Sequence, residues 1–190
     1  MPSILKASLP VLALAPRSLA DIYADIRLIA ALLDARPAAE ALIAEMIQTT
    51  TLATQKTISC TTKPLVYCEE WGKPLIHSQG WVAELIEAAG GRFLGTPGAQ
   101  TTPEAVAAAS PDVLLFAWCG AGNRVPLERV ISQRNWHKLN AVRTRRVFCI
   151  PDQYLNTPAP TLLQGLACIA AALHPDLFPP HPELIQINPR

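Results

Sequence analysis

Three short apolar runs constrain what this chain can fold into. Residues 65–68 and 113–118 are unbroken apolar runs, and residues 146–150 form a third that begins with an arginine. Apolar runs of this length, bounded by turn residues, are typical of buried strands. Patterns with helical spacing separate them, and alternation of strand and helix predicts parallel strands joined by right-handed crossovers. The sequence therefore predicts an α/β fold, a parallel sheet covered by helices on both faces.

The segment before the first of these runs has its own pattern. Residues 10–16 are apolar between two prolines and predict a short strand. Ser18, with Asp21 three positions later, is a typical helix N-cap, and the apolar spacing that follows predicts a helix to about residue 35. Pro37 suits the first turn of a second helix, which we expect to reach about residue 53. We therefore divide the chain into residues 1–35, a helix over 36–56, and an α/β unit over 57–190.

The composition excludes several classes of protein. Half of the residues are hydrophobic, 16% are charged and the net charge is +1, so no basic field for nucleic acid is expected. No apolar run approaches the ~20 residues that a membrane span needs. Pro10 and Pro16 interrupt the apolar start, which does not have the pattern of a signal peptide, and taken literally the chain stays in the cytoplasm.

The five cysteines form no C-x-x-C pair. Because most lie in or beside apolar runs, we expect buried free thiols. One disulfide is the alternative, and the odd number would then leave a thiol unpaired.

Three loops are predicted at the carboxyl edge of the sheet, over residues 69–78, 119–124 and 152–158. This edge is where open α/β sheets bind ligands. Trp71, among polar residues, could form an aromatic wall for a large flat ligand or fill the core, and Trp81 at a helix start could equally give structural support. The loops carry the following polar and aromatic residues: Glu69, Glu70, Trp71, Cys119, Asn123, Arg124, Tyr154 and Asn156.

Motifs for catalysis are weak. The sequence has neither a G-x-S-x-G elbow nor a G-x-x-x-x-G-K-[ST] phosphate loop, and its histidines do not have metal-ligand spacing. Glu69 and Glu70 are adjacent, so on an extended backbone they point in opposite directions. We assign no catalytic residue, metal or cofactor. Two alternatives remain open: a small α/β enzyme that uses Cys119 or the two glutamates, and an interaction protein that dimerises.

Several short motifs in a fixed order resemble one family. They are Glu70-Trp71 with Pro74, Gly80-Trp81-Val82-Ala83-Glu84-Leu85, Ala89-Gly90-Gly91, Thr102-Pro103-Glu104-Ala105-Val106, Cys119-Gly120, Tyr154-Leu155-Asn156 and His174-Pro175-Asp176-Leu177-Phe178. With these motifs the chain resembles the substrate-binding proteins of ABC importers for cobalamin and iron–siderophores. The resemblance implies a carboxyl-terminal lobe over 57–190, a long linking helix over 36–56, and a remnant of the amino-terminal lobe over 1–35.

The resemblance also implies roles for individual residues. Cobalamin or a ferric siderophore would lie in a cleft between lobes, and Glu104 would dock on the importer permease. The location implied by the family is the periplasm. Ligand contacts are expected from Glu70, Trp71, Trp81, Cys119, Tyr154 and Asn156. A strand over residues 10–16 would lack sheet partners, so we also expect a homodimer through residues 1–50.

Overall fold

A seven-stranded sheet forms the middle layer of the structure, a computed structural model that describes residues 11–188. The helices are α1 (Leu19–Leu32), α2 (Arg36–Thr57), α3 (Gly80–Ala88), α4 (Pro103–Ala109), α5 (Leu127–Gln133), α6 (Asn140–Arg143) and α7 (Leu162–Leu173). The strands are β1 (Leu65–Gly72), β2 (Leu75–His77), β3 (Arg92–Phe93), β4 (Gln100–Thr101), β5 (Val113–Phe116), β6 (Val147–Cys149) and β7 (Ile185–Gln186). Short 3-10 turns cover Trp136–Lys138 and Asp152–Tyr154.

The centre of the sheet is parallel, as predicted. β1 pairs in parallel with β3 and β5, and β5 pairs in parallel with β6. The remaining pairings, β1 with β2, β2 with β4 and β6 with β7, are antiparallel. These short antiparallel additions lie outside the apolar runs, and the sequence pattern did not predict them.

Hydrophobic residues fill both faces of the sheet, so the predicted three-layer arrangement is confirmed. Val66 and Cys68 of β1 face a core built with α1, α2, α3 and α7, whereas Tyr67 between them faces a core built with α4 and α5. β5 alternates in the same way, with Leu115 on the first face and Phe116 on the second. This alternation is the two-residue period of a strand, and it decides which side chains reach each face.

The two amino-terminal helices begin as predicted. Ser18 Oγ accepts from the Asp21 amide at 3.1 Å, and Asp21 Oδ2 accepts from the Ser18 amide at 3.1 Å, which completes a capping box. α2 begins at Arg36 with proline in its first turn and extends past residue 53 to Thr57, and its threonine hydroxyls donate to carbonyls four residues earlier. Within residues 11–188, no helix combines the length and the apolar character needed to cross a membrane.

The strand predicted over residues 10–16 is wrong for the part that the structure describes. Residues 11–16 have no regular secondary structure, and Pro10 lies outside the described residues. A strand is stabilised by its ladder of hydrogen bonds, and residues 11–16 take no part in the sheet that holds the seven described strands. The apolar side chains of Val11, Leu12 and Leu14 are exposed.

The loop predicted over residues 69–78 is also wrong. β1 continues to Gly72, and the chain then turns back into β2, so that Gly72 pairs with Leu75 and Glu69 with His77. The polar residues at 69 and 70 predicted a loop. In the structure Glu69 is fully buried, because residues distant in the chain contact it. The strand places Glu69 and Glu70 on opposite faces, as their adjacency predicted.

Candidate functional site

A cavity of about 760 Å³, which we call the cleft, lies beside the carboxyl ends of β1 and β5. The β1–β2 hairpin contributes to one side, α5 to another, and the loop after β5 lies between them. This is the edge at which the sequence predicted a ligand site. The lining residues are Trp71, Gly72, Lys73, Leu75, Pro103, Trp118, Cys119, Gly120, Ala121, Pro126, Arg129, Val130, Gln133 and Arg134.

Trp71 lines the cleft, and its role as a ligand contact stays a prediction. Its side chain is 44% exposed, and its indole N–H donates to the carbonyl of Lys73 at 2.8 Å. This bond occupies the polar atom of the indole. The remaining ring surface is apolar, and an exposed aromatic surface on a cavity wall suits contact with a flat ligand.

Trp118 is a second tryptophan on the cleft, and sequence analysis did not select it. Its indole N–H donates to Glu69 Oε1 at 2.7 Å, and its ring packs edge-to-face on Phe116. Gly72 allows the ring to approach β1, because a Cβ at this position would lie 2.6 Å from a ring carbon of Trp118. Trp118 is the last residue of the apolar run 113–118, which ends at the carboxyl edge of the sheet, and this position could have indicated it.

Glu69 and Arg134 form a buried ion pair next to the cleft. The guanidinium donates twice to the carboxylate, at 2.7 and 2.8 Å, and the two side chains are 9% and 0% exposed. Tyr67 donates its hydroxyl to Glu69 as well, and burial beside this carboxylate raises the pKa of Tyr67. With these bonds and the bond from Trp118, Glu69 is fully engaged, so it is not a reacting group of the kind the enzyme alternative requires.

Glu70, Cys119 and Asn156 meet on the other side of β1. Gln79 Nε2 donates to Glu70 Oε2 at 2.7 Å, and the Cys119 thiol lies 3.7 Å from Glu70 Oε1. Asn156 Nδ2 donates to the Ala117 carbonyl at 2.7 Å and lies 3.3 Å from Cys119 Sγ. The structure therefore brings three of the predicted ligand contacts together, and of these Cys119 also lines the cleft.

The environment of Cys119 disfavours a nucleophilic role. Burial raises the pKa of its thiol, and the neighbouring Glu70 carboxylate raises it further. The thiolate is the reactive form of cysteine, so a raised pKa makes the sulfur a poor nucleophile. His137 is exposed and lies on a different and smaller cavity, so it is not placed to act as a base for this thiol.

Trp81 and Tyr154, like Glu70 and Asn156, do not line the cleft. Trp81 is only 7% exposed in the core, where its indole N–H donates to the Leu155 carbonyl at 2.7 Å. Tyr154 is half-buried and packs edge-to-face on His181 of the carboxyl-terminal tail. Neither residue lines the cleft, because α3 packs Trp81 into the core and Tyr154 packs against the tail. For Trp81 this geometry corresponds to the structural-support interpretation.

Three cationic side chains line the cleft, and their charges are not equivalent. Arg134 is neutralised by Glu69, whereas Lys73 and Arg129 are exposed and form no ion pair with any residue in 11–188. The sequence did not identify Lys73, Arg129 or Arg134, because the position of α5 against the hairpin is a tertiary feature. An acidic group on a ligand would meet Lys73 and Arg129 first.

Glu104 occupies an exposed position on the first turn of α4. Thr102 caps this helix, and its Oγ1 accepts from the Ala105 amide at 3.2 Å. The carboxylate is thus accessible to a partner, and its docking role stays a prediction.

The cysteines are free thiols, as expected. Cys68, Cys149 and Cys168 are buried, and Cys60 and Cys119 are half-buried. Burial raises the pKa of Cys68 and Cys168 to about 12, so both are neutral at ordinary pH. Within the described part of the chain, no group of three or more His, Cys, Asp or Glu side chains is placed to hold a metal ion.

Comparison with known proteins decides the family. The profile of the periplasmic binding protein family matches residues 2–154, which is most of the chain. The chain belongs to this family. The family consists of binding proteins and not of enzymes, so the enzyme alternative is set aside. No match was found among curated proteins.

Several solved structures share the fold of this chain. A periplasmic heme binding protein from Pseudomonas aeruginosa has a TM-score of 0.79 at 21% identity, over 92% of this chain and 67% of that one. The periplasmic heme-binding protein RhuT from Roseiflexus sp. RS-1 has a TM-score of 0.71 at 25% identity, over 84% and 64%. A possible iron-binding (periplasmic solute-binding) protein from Staphylococcus epidermidis has a TM-score of 0.75 at 18% identity, over 91% and 69%. The chain thus spans about two thirds of the length of these structures.

Proposed function

We propose that this chain binds a large planar metal chelate in the cleft, as the solute-binding component of an ABC importer. The observation that carries the proposal is the pair of tryptophans, Trp71 and Trp118, on a cavity at the carboxyl edge of the sheet in a family of binding proteins. The volume of about 760 Å³ lies within the range of cavities that hold small molecules and cofactors.

Heme, a ferric siderophore and cobalamin are the candidate ligands. Two of the similar structures are described as heme-binding and one as possibly iron-binding, and the sequence motifs resemble the substrate-binding proteins of importers of cobalamin and siderophores. The cleft favours a ligand with acidic groups, since Lys73 and Arg129 leave positive charge on its wall. Heme carries two carboxylates and fits this charge.

The remaining parts of the proposal concern the partners and the location of the protein. Glu104 would dock on the permease, and the protein would work in the periplasm, as the family's description implies. A homodimer through residues 1–50 is a separate proposal, and the exposed side chains of Leu32 and Leu33 at the end of α1 support it.

Calorimetric titration of the protein with hemin, a ferric hydroxamate siderophore and cyanocobalamin tests the proposal. Because the loss of ligand freedom and the desolvation of polar groups offset part of the contact energy, we expect a dissociation constant of about micromolar or weaker for at least one of the three. Trp71→Ala should weaken this binding by about tenfold, because a large aromatic contact is lost.

Leu177→Ala is the matched control, because Leu177 is also 44% exposed but does not line the cleft. Its affinity should equal that of the unchanged protein. Equal loss in both variants would indicate unspecific adsorption of an apolar ligand. If none of the three ligands binds more tightly than about 1 mM, the proposal is wrong.

A further inference from the structure

Glu69 contacts two side chains of the cleft without lining it. Its Oε1 accepts from Trp118 Nε1 and from Arg134 Nη2, and its Oε2 accepts from Arg134 Nη1 and the Tyr67 hydroxyl. Ligand binding as proposed above does not use this carboxylate, which is fully buried. A buried charge that makes four hydrogen bonds needs an explanation, because an apolar pair of similar volume often stabilises a core equally well.

Glu69 itself is held in one place from several directions. It lies on β1, paired with Phe116 of β5 and His77 of β2. The Arg134 guanidinium that binds it lies over the ring of Trp136 at 4.9 Å and over that of Phe116 at 5.8 Å. An acceptor fixed in this way dictates where its donors must be.

Trp118 is less enclosed than Glu69, although its ring packs against the core on the second face of the sheet. It lies two residues after the end of β5, it is half-buried, and it begins the loop that lines the cleft. Its ring contacts Gly72, which offers no side chain to hold it, and the edge of Phe116. The bond to Glu69 Oε1 is the polar contact that selects one orientation of the indole.

The geometry points to Glu69 as a positioning residue: it holds the Trp118 indole in the orientation that forms the cleft wall before a ligand arrives. Arg134 and Tyr67 anchor Glu69 for this task. If the Trp118 side chain is already ordered, ligand binding does not have to immobilise it, and less conformational entropy is lost on binding. The effect on affinity rests on the proposed function, whereas the orientation of the indole does not.

Two double variants separate positioning from charge. Glu69→Leu with Arg134→Leu, the leucine pair, removes the acceptor and leaves no unpaired charge. Glu69→Gln with Arg134→Leu, the glutamine pair, keeps an amide oxygen that can accept from the indole. Both lose the guanidinium, so they differ in the acceptor. We expect the leucine pair to bind hemin about tenfold more weakly than the glutamine pair.

Trp118→Phe completes the test. Adding it to the leucine pair should cause no further loss, because the pair acts through Trp118, and contacts that act through one another are not additive. Equal affinities of the leucine and glutamine pairs, or losses that add in the triple variant, would overturn the positioning role.

A second readout does not depend on any ligand. In ¹⁵N-labelled protein, the Trp118 indole resonance is assigned by its absence in Trp118→Phe. We expect it to lie downfield and to be well ordered in the unchanged protein, and to move upfield and broaden in the leucine pair. An unchanged resonance in a folded leucine pair would overturn the inference.

If the leucine pair does not fold, the unchanged protein still decides the question. Heteronuclear relaxation should show the Trp118 indole to be more rigid than the Trp71 indole, whose acceptor lies on the exposed hairpin turn. Equal or greater mobility of Trp118 would refute positioning. If no ligand binds while Trp118 is ordered through Glu69, the proposed function fails and the positioning role stands.

Discussion

Arg134 donates two hydrogen bonds to the carboxylate of Glu69, at 2.7 and 2.8 Å, although the two residues are 65 positions apart in the chain. Glu69 lies on β1, and Arg134 follows the last residue of α5. The pair therefore connects the central strand to the helix that forms one side of the cleft. Both ends of the connection are buried, so the interaction is shielded from solvent.

Removing one member of this pair should destabilise the protein strongly. Arg134→Ala leaves the Glu69 carboxylate buried beside Trp118 with its cation lost. We expect a decrease of about 3–5 kcal/mol in the free energy of unfolding, the usual effect of an uncompensated buried charge. Urea unfolding followed by circular dichroism measures it. Arg27→Ala is the control, because Arg27 pairs with Glu40 on the surface, and it should cost less than about 1 kcal/mol. Equal losses would contradict the buried role.

Substitution of Trp81 should lower the stability of the protein much more than substitution of Trp71. Trp81→Ala removes a buried ring and its bond to the Leu155 carbonyl, so we expect a loss of about 3–5 kcal/mol of stability. Trp71→Ala should cost less than about 1 kcal/mol, because the ring is exposed. Thermal unfolding of both variants compares them. A larger loss for Trp71 would show that it supports the hairpin and does not act mainly as a ligand contact.

Glu104 should matter for docking and not for folding. Glu104→Ala removes an exposed carboxylate from the first turn of α4, and we expect a change in stability below about 1 kcal/mol. In a chain that carries a relative's complete amino-terminal lobe, the same substitution should impair permease-dependent uptake. Glu87→Ala, at another exposed helical glutamate, serves as the control. Normal uptake by the Glu104 variant would remove the docking role.

The stability of the protein should decrease as the pH falls below about 6.5. Burial lowers the pKa of His77 in the folded protein, an effect that the Glu69 carboxylate partly opposes, and His77 Nδ1 has no hydrogen-bond partner among the described residues. The unfolded chain, with the ordinary value of 6.5, therefore takes up a proton first. The stabilisation from a neutral His77 is complete above this pH and is lost progressively as the pH falls towards the folded value.

His77→Leu isolates this contribution. The variant removes the titrating group, so its free energy of unfolding should change less between pH 7 and pH 5 than that of the unchanged protein. His137→Leu, at an exposed position, should keep the original pH dependence. Identical pH profiles for the His77 variant and the unchanged protein would rule out His77 as the source.

A homodimer through residues 1–50 remains a prediction, and light scattering over a range of concentrations tests it. The described part of this segment exposes large apolar side chains, including Leu28, Leu32 and Leu33 near the end of α1. Leu32→Lys with Leu33→Lys should shift the mass to that of a monomer. A monomer of the unchanged protein at high concentration would count against the dimer.

The sequence by itself determined the alternation of strands and helices and the layers of the sheet. Residues 113–116 are apolar without interruption, so a central strand follows from their composition, and the bonding capacity of Ser18 and Asp21 determined where α1 begins. These features depend on neighbours within a few residues, which a sequence shows directly. The carboxyl edge as the place of the cleft followed from the same alternation.

Only the tertiary structure decided which side chains form the cleft. Glu69 is polar and was expected in a loop, but Arg134 and Trp118 stabilise it within β1 from 65 and 49 positions away. Trp71 and Trp81 were both expected on the cleft, and the packing of α3 buried one and left the other exposed. The physical reason is that burial and charge pairing depend on which elements pack together, and such long-range contacts leave no periodic signal in the chain.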